Sequence, residues 1–354
     1  MRAYKNKTLI QNTITYALVL AGYLLIQILL AGGHVNSLLK GILVPLCIYV
    51  ILAVSLNLTV GILGELSLGH AGFMCIGAFS GAFVTHAFAS QIPNQQVRFI
   101  LALLIGAAAA AVFGILIGIP VLRLKGDYLA IVTLAFGEII KNVINVLYVG
   151  VDSAGMHVSI KDAASLKLAK EGTLIINGAQ GITGTPKLAT FTIGIILVLF
   201  TLFIVLNMIN SRTGRAIMAI RDNRIAAESV GLNITKYKLL AFSVSAALAG
   251  VAGVLYAHNL ATLAATPKNF GYNMSIMILV FVVLGGIGNI RGSVISAVIL
   301  TLLPEMLRGL NNYRMLIYAI VLIVMMLLTS SPKAVETRER IFETFRKKKT
   351  KEEA

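Results

Sequence analysis

The chain has 354 residues, of which 58% are hydrophobic and only 12% are charged, and its mean hydropathy is +0.89. Soluble domains carry about 25% charged residues, so this composition excludes a soluble enzyme or binding module and predicts a polytopic membrane protein. The net charge of +16 does not indicate a nucleic-acid partner, because the basic residues cluster at the ends of apolar runs, as topology signals do.

Ten apolar blocks have the length of about 20 residues that crossing a bilayer requires. They are 12–31, 40–62, 71–90, 98–122, 128–149, 188–210, 235–257, 273–290, 292–310 and 312–331. With a cytoplasmic N-terminus, this even count places both termini and most basic loops inside, in keeping with the positive-inside rule. The prediction is an all-α polytopic membrane protein of about ten transmembrane helices over 1–331, with an extracytoplasmic segment at 150–187 and a basic cytoplasmic tail at 332–354.

Two glycine-rich stretches interrupt this pattern, "VGILGELSLGHAGFMCIGAF" (60–79) and "VLGGIGNIRGSVISA" (283–297). Irregular backbone at membrane depth is tolerated inside protein or along a wet cavity, and paired interruptions in the two halves of a chain point to a transport site. Close packing of small-residue faces explains the same glycines equally well. The candidate pathway-lining residues from these stretches are Glu65, Ser67, Gly69, His70, Gly285, Gly286 and Gly288.

A polar face is expected on the helix of the fifth block. Glu138, Lys141, Asn142 and Asn145 stand at i, i+3, i+4 and i+7, so they share one side of a helix. A charge at the bilayer centre costs about 2.5–3.5 kcal/mol, so this side faces protein or water. Either Glu138 and Lys141 form an ion pair that fixes helix packing, or Glu138 and Asn142 line a pathway for a polar solute.

The stretch "GRAIMAIRDNRIAAESVGLN" (214–233) is charged and helical in pattern, and the orientation above places it in the cytoplasm. Asp222 or Asn223 is suited to cap a helix start, and Gly231 fits the position just after a helix end. We therefore expect two short helices with a bend near Asp222. Their small apolar edges, which include Ala226, Ala227 and Val230, suit docking into a partner's groove, whereas the alternative is a helix resting on lipid headgroups.

Catalytic motifs are missing from the sequence. It contains no G-x-x-x-x-G-K-[ST] phosphate loop and no H-E-x-x-H motif, and none of its five histidines is spaced from Cys, Asp or Glu as metal ligands are. The expectation is a protein that is not an enzyme, without catalytic residues, metal site or cofactor.

The charged stretch resembles the coupling loop of ATP-binding-cassette (ABC) importer permeases of the branched-chain amino-acid family. That loop carries an E-A-A-x-x-x-G pattern, which Ala226, Ala227 and Gly231 match, although Ile225 stands at the glutamate position. The similarity continues through "LSLGHAGFMCIGAF", "LKGDYLAIVTLAFGEIIKNV", "GAQGITGTP" and "VLGGIGNIRGSVISA", and covers about 40–330.

The resemblance implies a Type II importer permease in the bacterial inner membrane, embedded in membrane lipid. Its partners would be a homologous second permease subunit, two cytoplasmic ATP-binding subunits and an extracytoplasmic solute-binding protein. Residues 211–235 would be the segment that docks into an ATPase, referred to below as the coupling segment. The residues implied in coupling are Arg215, Arg221, Asp222, Ala226, Ala227 and Gly231.

The resemblance also implies the solute class, namely branched-chain or other hydrophobic amino acids. Relatives that carry urea or short amides leave an alternative open. Sugar permeases tend to read D-L-S-V-G-S where this chain has "ELSLGHAGF", which argues against a sugar. A proton-coupled secondary transporter with Glu138 as proton carrier would leave the charged stretch unexplained. Residues 150–176 depart from the family pattern as an insertion, expected on the outer face where the binding protein docks.

Overall fold

The computed structural model describes residues 2–32, 37–124, 126–152, 155–168 and 172–330. The predicted tail at 332–354 therefore lies outside the described residues. Within them the α-helices are α1 (Arg2–Ala31), α2 (Ser37–Asn57), α3 (His70–Ala87), α4 (Gln95–Val121), α5 (Asp127–Asn145), α6 (Phe191–Asn210), α7 (Arg212–Asp222), α8 (Arg224–Ser229), α9 (Ile234–Ala257), α10 (Pro267–Phe270), α11 (Tyr272–Gly285), α12 (Ile290–Met306) and α13 (Arg314–Ser330).

Each of the ten predicted membrane blocks overlaps for most of its length with one of these helices. In the described part of the chain, seven helical stretches are long and apolar enough to cross a membrane. They are Asn12–Ala31, Leu39–Leu63, Gln95–Val121, Phe191–Asn210, Ile234–Ala257, Pro267–Gly285 and Ile290–Gly309. Helices α3, α5 and α13 are outside this set, so a total of about ten crossings stays a prediction.

The chain is mostly helical, as expected, but short strands that the sequence analysis did not predict stand at two connections. The strands are β1 (Tyr148–Asp152), β2 (Gly155–Ser159), β3 (Thr173–Asn177), β4 (Ile182–Thr183) and β5 (Thr262–Leu263). The first three form an antiparallel sheet in the order β2-β1-β3, and β4 pairs with β5. Val149 of β1 and Ile176 of β3 lie opposite each other and are each 5% exposed, whereas their neighbour Val158 on the edge strand β2 is exposed, so the sheet is buried along β1 and β3 and open along β2.

Small residues let the central helices approach closely. Gly77 of α3 faces Gly250 of α9 so tightly that a Cβ at Gly77 would overlap the Gly250 backbone. Gly114 of α4 lies against Ala246 of α9 in the same way, since a Cβ added at Gly114 would lie only 2.7 Å from the Cβ of Ala246. Packing through small residues is the usual means of helix association where lipid removes the hydrophobic driving force. The resulting core of α2, α3, α4 and α9 fixes the position of the two glycine-rich turns.

Candidate functional site

The first glycine-rich stretch begins where α2 changes its helical register. Residues Leu58–Leu63 form a π turn, and Gly64 ends it with φ +80°, a left-handed conformation that favours glycine. The Gly64 N–H donates to the carbonyl of Thr59, five residues back. Residues 65–69 then run without helix until α3 begins at His70. Single π turns of this kind occur often at functional sites.

The second glycine-rich stretch is a tight turn between α11 and α12. Gly286 and Gly288 have φ values of +92° and +81°, and Asn289 caps α12 by accepting a hydrogen bond from the Gly292 N–H at 3.3 Å. A Cβ at Gly292 would overlap the carbonyl oxygen of Gly285. The predicted interruption is therefore confirmed, and it demands glycine both for conformation and for close approach.

The two interruptions meet through Asn57, which is fully buried. The Gly288 N–H donates to Asn57 Oδ1 at 2.8 Å, and Asn57 Nδ2 donates to Ser293 Oγ at 2.7 Å. A Cβ at Gly61 would overlap both Asn57 Oδ1 and the Gly288 nitrogen. Asn57 was missed in the sequence, where the available signal was one amide inside an apolar run beside the glycines.

Residues 65–69 are fixed between two helices, α5 and α9. Glu65 forms an ion pair with Lys238 of α9, in which the two side chains are 15% and 10% exposed. Thr133 of α5 accepts a hydrogen bond from the Leu68 N–H at 3.0 Å, and a Cβ at Gly69 would lie 2.5 Å from the Thr133 carbonyl. Lys238, which the sequence analysis did not single out, is thus a buried partner of this loop.

Ser67 lies in the middle of this loop and His70 begins α3 directly after it, and the two side chains differ in their hydrogen bonding. The imidazole Nε2 of His70 lies 2.7 Å from Ser55 Oγ, and both residues are buried. Ser67 is 1% exposed, and its Oγ has no hydrogen-bond partner in the described part of the chain. An unpaired buried hydroxyl costs about 1–3 kcal/mol, so Ser67 Oγ is an unsatisfied polar group among the described residues.

The polar face of α5 is mostly satisfied within the protein. Glu138 and Lys141 form an ion pair, and Glu138 Oε1 accepts the Tyr272 N–H at 2.8 Å, which caps the start of α11. Asn145 Nδ2 donates to the carbonyl of Ala265 at 2.9 Å. Asn142, by contrast, is exposed. The interpretation as an ion pair that fixes helix packing is therefore confirmed, whereas a pathway role for Glu138 and Asn142 stays a prediction.

The coupling segment has the two predicted helices, α7 and α8, with the bend directly after Asp222. Asn223 is the residue that caps α8, because its Oδ1 accepts the Ala226 N–H at 3.0 Å. Ser211 and Asn233 cap α7 and α9 in the same manner, at 3.1 and 3.0 Å. Three side-chain caps in succession fix where each helix begins.

Gly231 ends α8 in a Schellman motif. Its φ is +83°, its N–H donates to the carbonyl of Glu228 at 3.0 Å, and the Leu232 N–H donates to the carbonyl of Ala227 at 3.1 Å. Leu232 packs on the cluster formed by Ala227, Ile220 and Ile234, which supplies the hydrophobic contact typical of this motif. The Ala-x-x-x-Gly spacing is thus explained by the geometry of one turn.

The exposed face of α8 differs from the one expected. Ala227 is 4% exposed and buried against Ile220 and Ile234, so its placement on the outward alanine face is wrong. Ala226 is exposed, and beside it Ile225 and Val230 are 81% and 76% exposed. The outward surface is therefore apolar through Ile225, Ala226 and Val230.

The basic residues of α7 hold the segment to the rest of the chain. Arg215 Nη1 donates to the carbonyl of Asn210 at 3.1 Å. Arg221 Nη1 donates to the carbonyl of Gly61 at 2.9 Å, while its Nε and Nη2 donate to Asp222 Oδ1 at 3.0 and 2.9 Å. Together with fully buried Ile217, these contacts fix α7 against the π turn.

Residues 38–328 match the family of permease components of branched-chain amino acid transport systems, and the chain belongs to this family. It is 34% identical over 289 residues to the high-affinity branched-chain amino acid transport permease LivM of Salmonella typhimurium, and 35% identical to LivM of Escherichia coli K12. Each match covers 79% of this chain and 66% of the relative, which is just under two thirds.

A more distant relative transports a different solute class. The fructose import permease FruG of Bifidobacterium longum is 23% identical over 309 residues, which cover 84% of this chain and 82% of that protein. No solved structure matches the chain. The matched family is therefore one of transport permease components, and a more distant relative is named for the import of a sugar.

Proposed function

We propose that the chain is the transmembrane subunit of an ABC importer for branched-chain or other hydrophobic amino acids. Its partners in this proposal are a homologous permease subunit, two cytoplasmic ATPase subunits and an extracytoplasmic binding protein. The observation that carries the proposal is the coupling segment, where capped helices present an exposed apolar face of Ile225, Ala226 and Val230. A preformed helical face of this kind suits insertion into a partner's groove.

The paired glycine-rich turns support a pathway role for their surroundings. The π turn is buried, and Asn57 joins it to the second turn at Gly288; paired interruptions of this kind point to a transport site in membrane proteins. Ser67 Oγ supplies a hydrogen-bonding group without a partner in the described residues. We propose that the solute or its water contacts this hydroxyl during passage.

The engagement of Glu138 argues against the proton-driven alternative. Its carboxylate serves both Lys141 and the N-terminus of α11, so protonation would release two structural contacts. Amino-acid permeases are also the more similar relatives, at 34–35% identity against 23% for the fructose permease. Both points support an ATP-driven amino-acid importer.

The substrate is tested with the chain reconstituted in proteoliposomes together with ATPase subunits and candidate binding proteins. We expect leucine, isoleucine or valine, presented with a binding protein, to stimulate ATP hydrolysis and to accumulate inside. Stimulation by urea, an amide or a sugar alone would reassign the solute. Uptake driven by a proton gradient without ATP would contradict the proposal.

Ser67→Ala tests the pathway claim in the same assay. Removing an unsatisfied buried hydroxyl leaves the thermal unfolding midpoint unchanged or slightly raised. We expect uptake to fall while the fold is retained. Thr201→Ala, which removes a buried hydroxyl already bonded to the carbonyl of Leu197 at 2.8 Å, is the matched control. Normal uptake by Ser67→Ala would exclude a solute contact there.

A further inference from the structure

Arg221 lies where the coupling segment touches the π turn. Its guanidinium is oriented by Asp222 and reaches the Gly61 carbonyl, which lies 160 residues earlier in the chain. A Cβ at Gly64 would lie 2.5 Å from Arg221 Cγ, so the side chain runs tightly along the loop. Arg221 thus joins two segments that the sequence separates widely.

The Gly61 carbonyl requires this donor. The last carbonyls of a helical segment have no intrahelical partner. Nearby, the Thr59 carbonyl accepts both the Gly64 and Glu65 N–H groups, the second at 3.1 Å. The side chain of Arg221 therefore supplies what the backbone of the π turn lacks at Gly61.

On its other side, the π turn touches the second glycine-rich turn. Gly61 packs on Gly288, and Asn57 binds both the Gly288 N–H and Ser293. Contacts thus run without a gap from α7 through the π turn to the turn between α11 and α12.

We propose that Arg221 is the positioning residue that transmits movement of the coupling segment to the two glycine-rich turns. A π turn differs from the surrounding α-helix by one residue of hydrogen-bond register, so residues 58–63 have two discrete arrangements available. Arg221 holds the π register through Gly61, and displacement of α7 withdraws that hydrogen bond. The inference rests on the proposed function, because the ATPases supply the displacement.

The test compares Arg221→Ala and Arg221→Lys with Arg212→Ala, which removes an exposed cation from the first turn of the same helix. Each variant is purified with the ATPase subunits, reconstituted with the binding protein, and assayed for ATP hydrolysis and uptake. We expect Arg221→Ala to retain the ATPase and hydrolyse ATP. Uptake per ATP should fall between about 5- and 150-fold, the usual span of coupling between sites.

The controls separate transmission from docking and folding. Arg221→Lys keeps one donor and should recover part of the uptake per ATP, while Arg212→Ala should match the wild-type chain. Gly64→Ala, which crowds Arg221 and strains a φ of +80°, should reproduce the uncoupling.

Three results would overturn the inference. The first is unchanged uptake per ATP in Arg221→Ala. The second is loss of the ATPase subunits from Arg221→Ala at an unchanged unfolding midpoint, which would make Arg221 a docking residue. The third is loss of the fold in Arg221→Ala and Arg221→Lys alike, which would make its role structural. Failure of the wild-type chain itself to bind ATPase subunits would instead overturn the proposed function.

Discussion

The polar face of α5 and the coupling segment both break the apolar pattern of the chain, but their polar groups have different environments. On α5, Glu138 and Lys141 pair with each other, and Glu138 also caps α11. In the coupling segment, the polar groups cap helices and tie α7 to the core, while an apolar surface is left outward. The paired charges of α5 stabilise helix packing. The polar groups of the coupling segment instead hold its helices in place so that an apolar surface stays exposed, as a docking site would require.

The largest loss of stability is expected from breaking the ion pair between Glu138 and Lys141 of α5. Lys141→Met leaves the Glu138 carboxylate, 27% exposed, without its cation. Removing one partner of a buried pair costs about 3–5 kcal/mol, and the partial exposure of Glu138 places this site at the low end. The measurement is the thermal unfolding midpoint in detergent.

Two controls sharpen this expectation. Asn142→Ala, one residue away and exposed, should leave the midpoint unchanged. Lys141→Met combined with Glu138→Gln should restore most of the stability, because the amide oxygen still accepts the Tyr272 N–H. A double variant as unstable as Lys141→Met alone would show that the unpaired charge is not the cause.

The next largest loss of stability is expected inside the coupling segment, at Ala227. Ala227→Leu forces a larger side chain among Ile220 and Ile234, and overpacking of this kind costs about 1–3 kcal/mol. Faster hydrogen exchange of α8 amides measures the local loss of stability. Ala226→Leu, with the same change on the exposed side of the helix, should leave exchange unaltered. Equal exchange in both variants would contradict the inward orientation of Ala227.

A smaller loss of stability is expected at the end of α8, at Gly231. Gly231→Ala meets no atom within 4 Å, so its cost is the strain of φ +83° alone, about 1–2 kcal/mol. Asn tolerates this conformation better, so Gly231→Asn should lose less. Hydrogen exchange at Leu232, whose N–H closes the motif, is the measurement. Protection that is the same in all three chains would rule out the Schellman turn in solution.

The residue types preferred at helix ends made much of the coupling segment predictable from the sequence. The Asn223 cap and the Gly231 position follow from residue types at helix ends, and both are confirmed. The orientation of Ala227 was not predictable, since it depends on Ile220 and Ile234 meeting in space.

Outside the coupling segment, long-range contacts and short strands are the features that the sequence did not allow us to predict. The bond between Asn57 and Gly288 joins residues 231 apart, and no periodicity in the chain specifies it. The strands from 148 to 177 are five residues long and do not alternate buried and exposed positions, so they carry no period-two signal that the sequence could show. The glycine-rich turns were found because positive φ and close approach both require glycine.

The central claim is that the outward surface of α8 docks an ATPase subunit, and Ala226→Arg tests it most directly. Ala226 is exposed, so the substitution should leave the unfolding midpoint unchanged, and Val158→Arg on the exposed side of β2 is the matched control. We predict that ATPase subunits copurify with the wild-type chain and with Val158→Arg, and are lost from Ala226→Arg. Full recovery of the ATPase with Ala226→Arg would contradict the account.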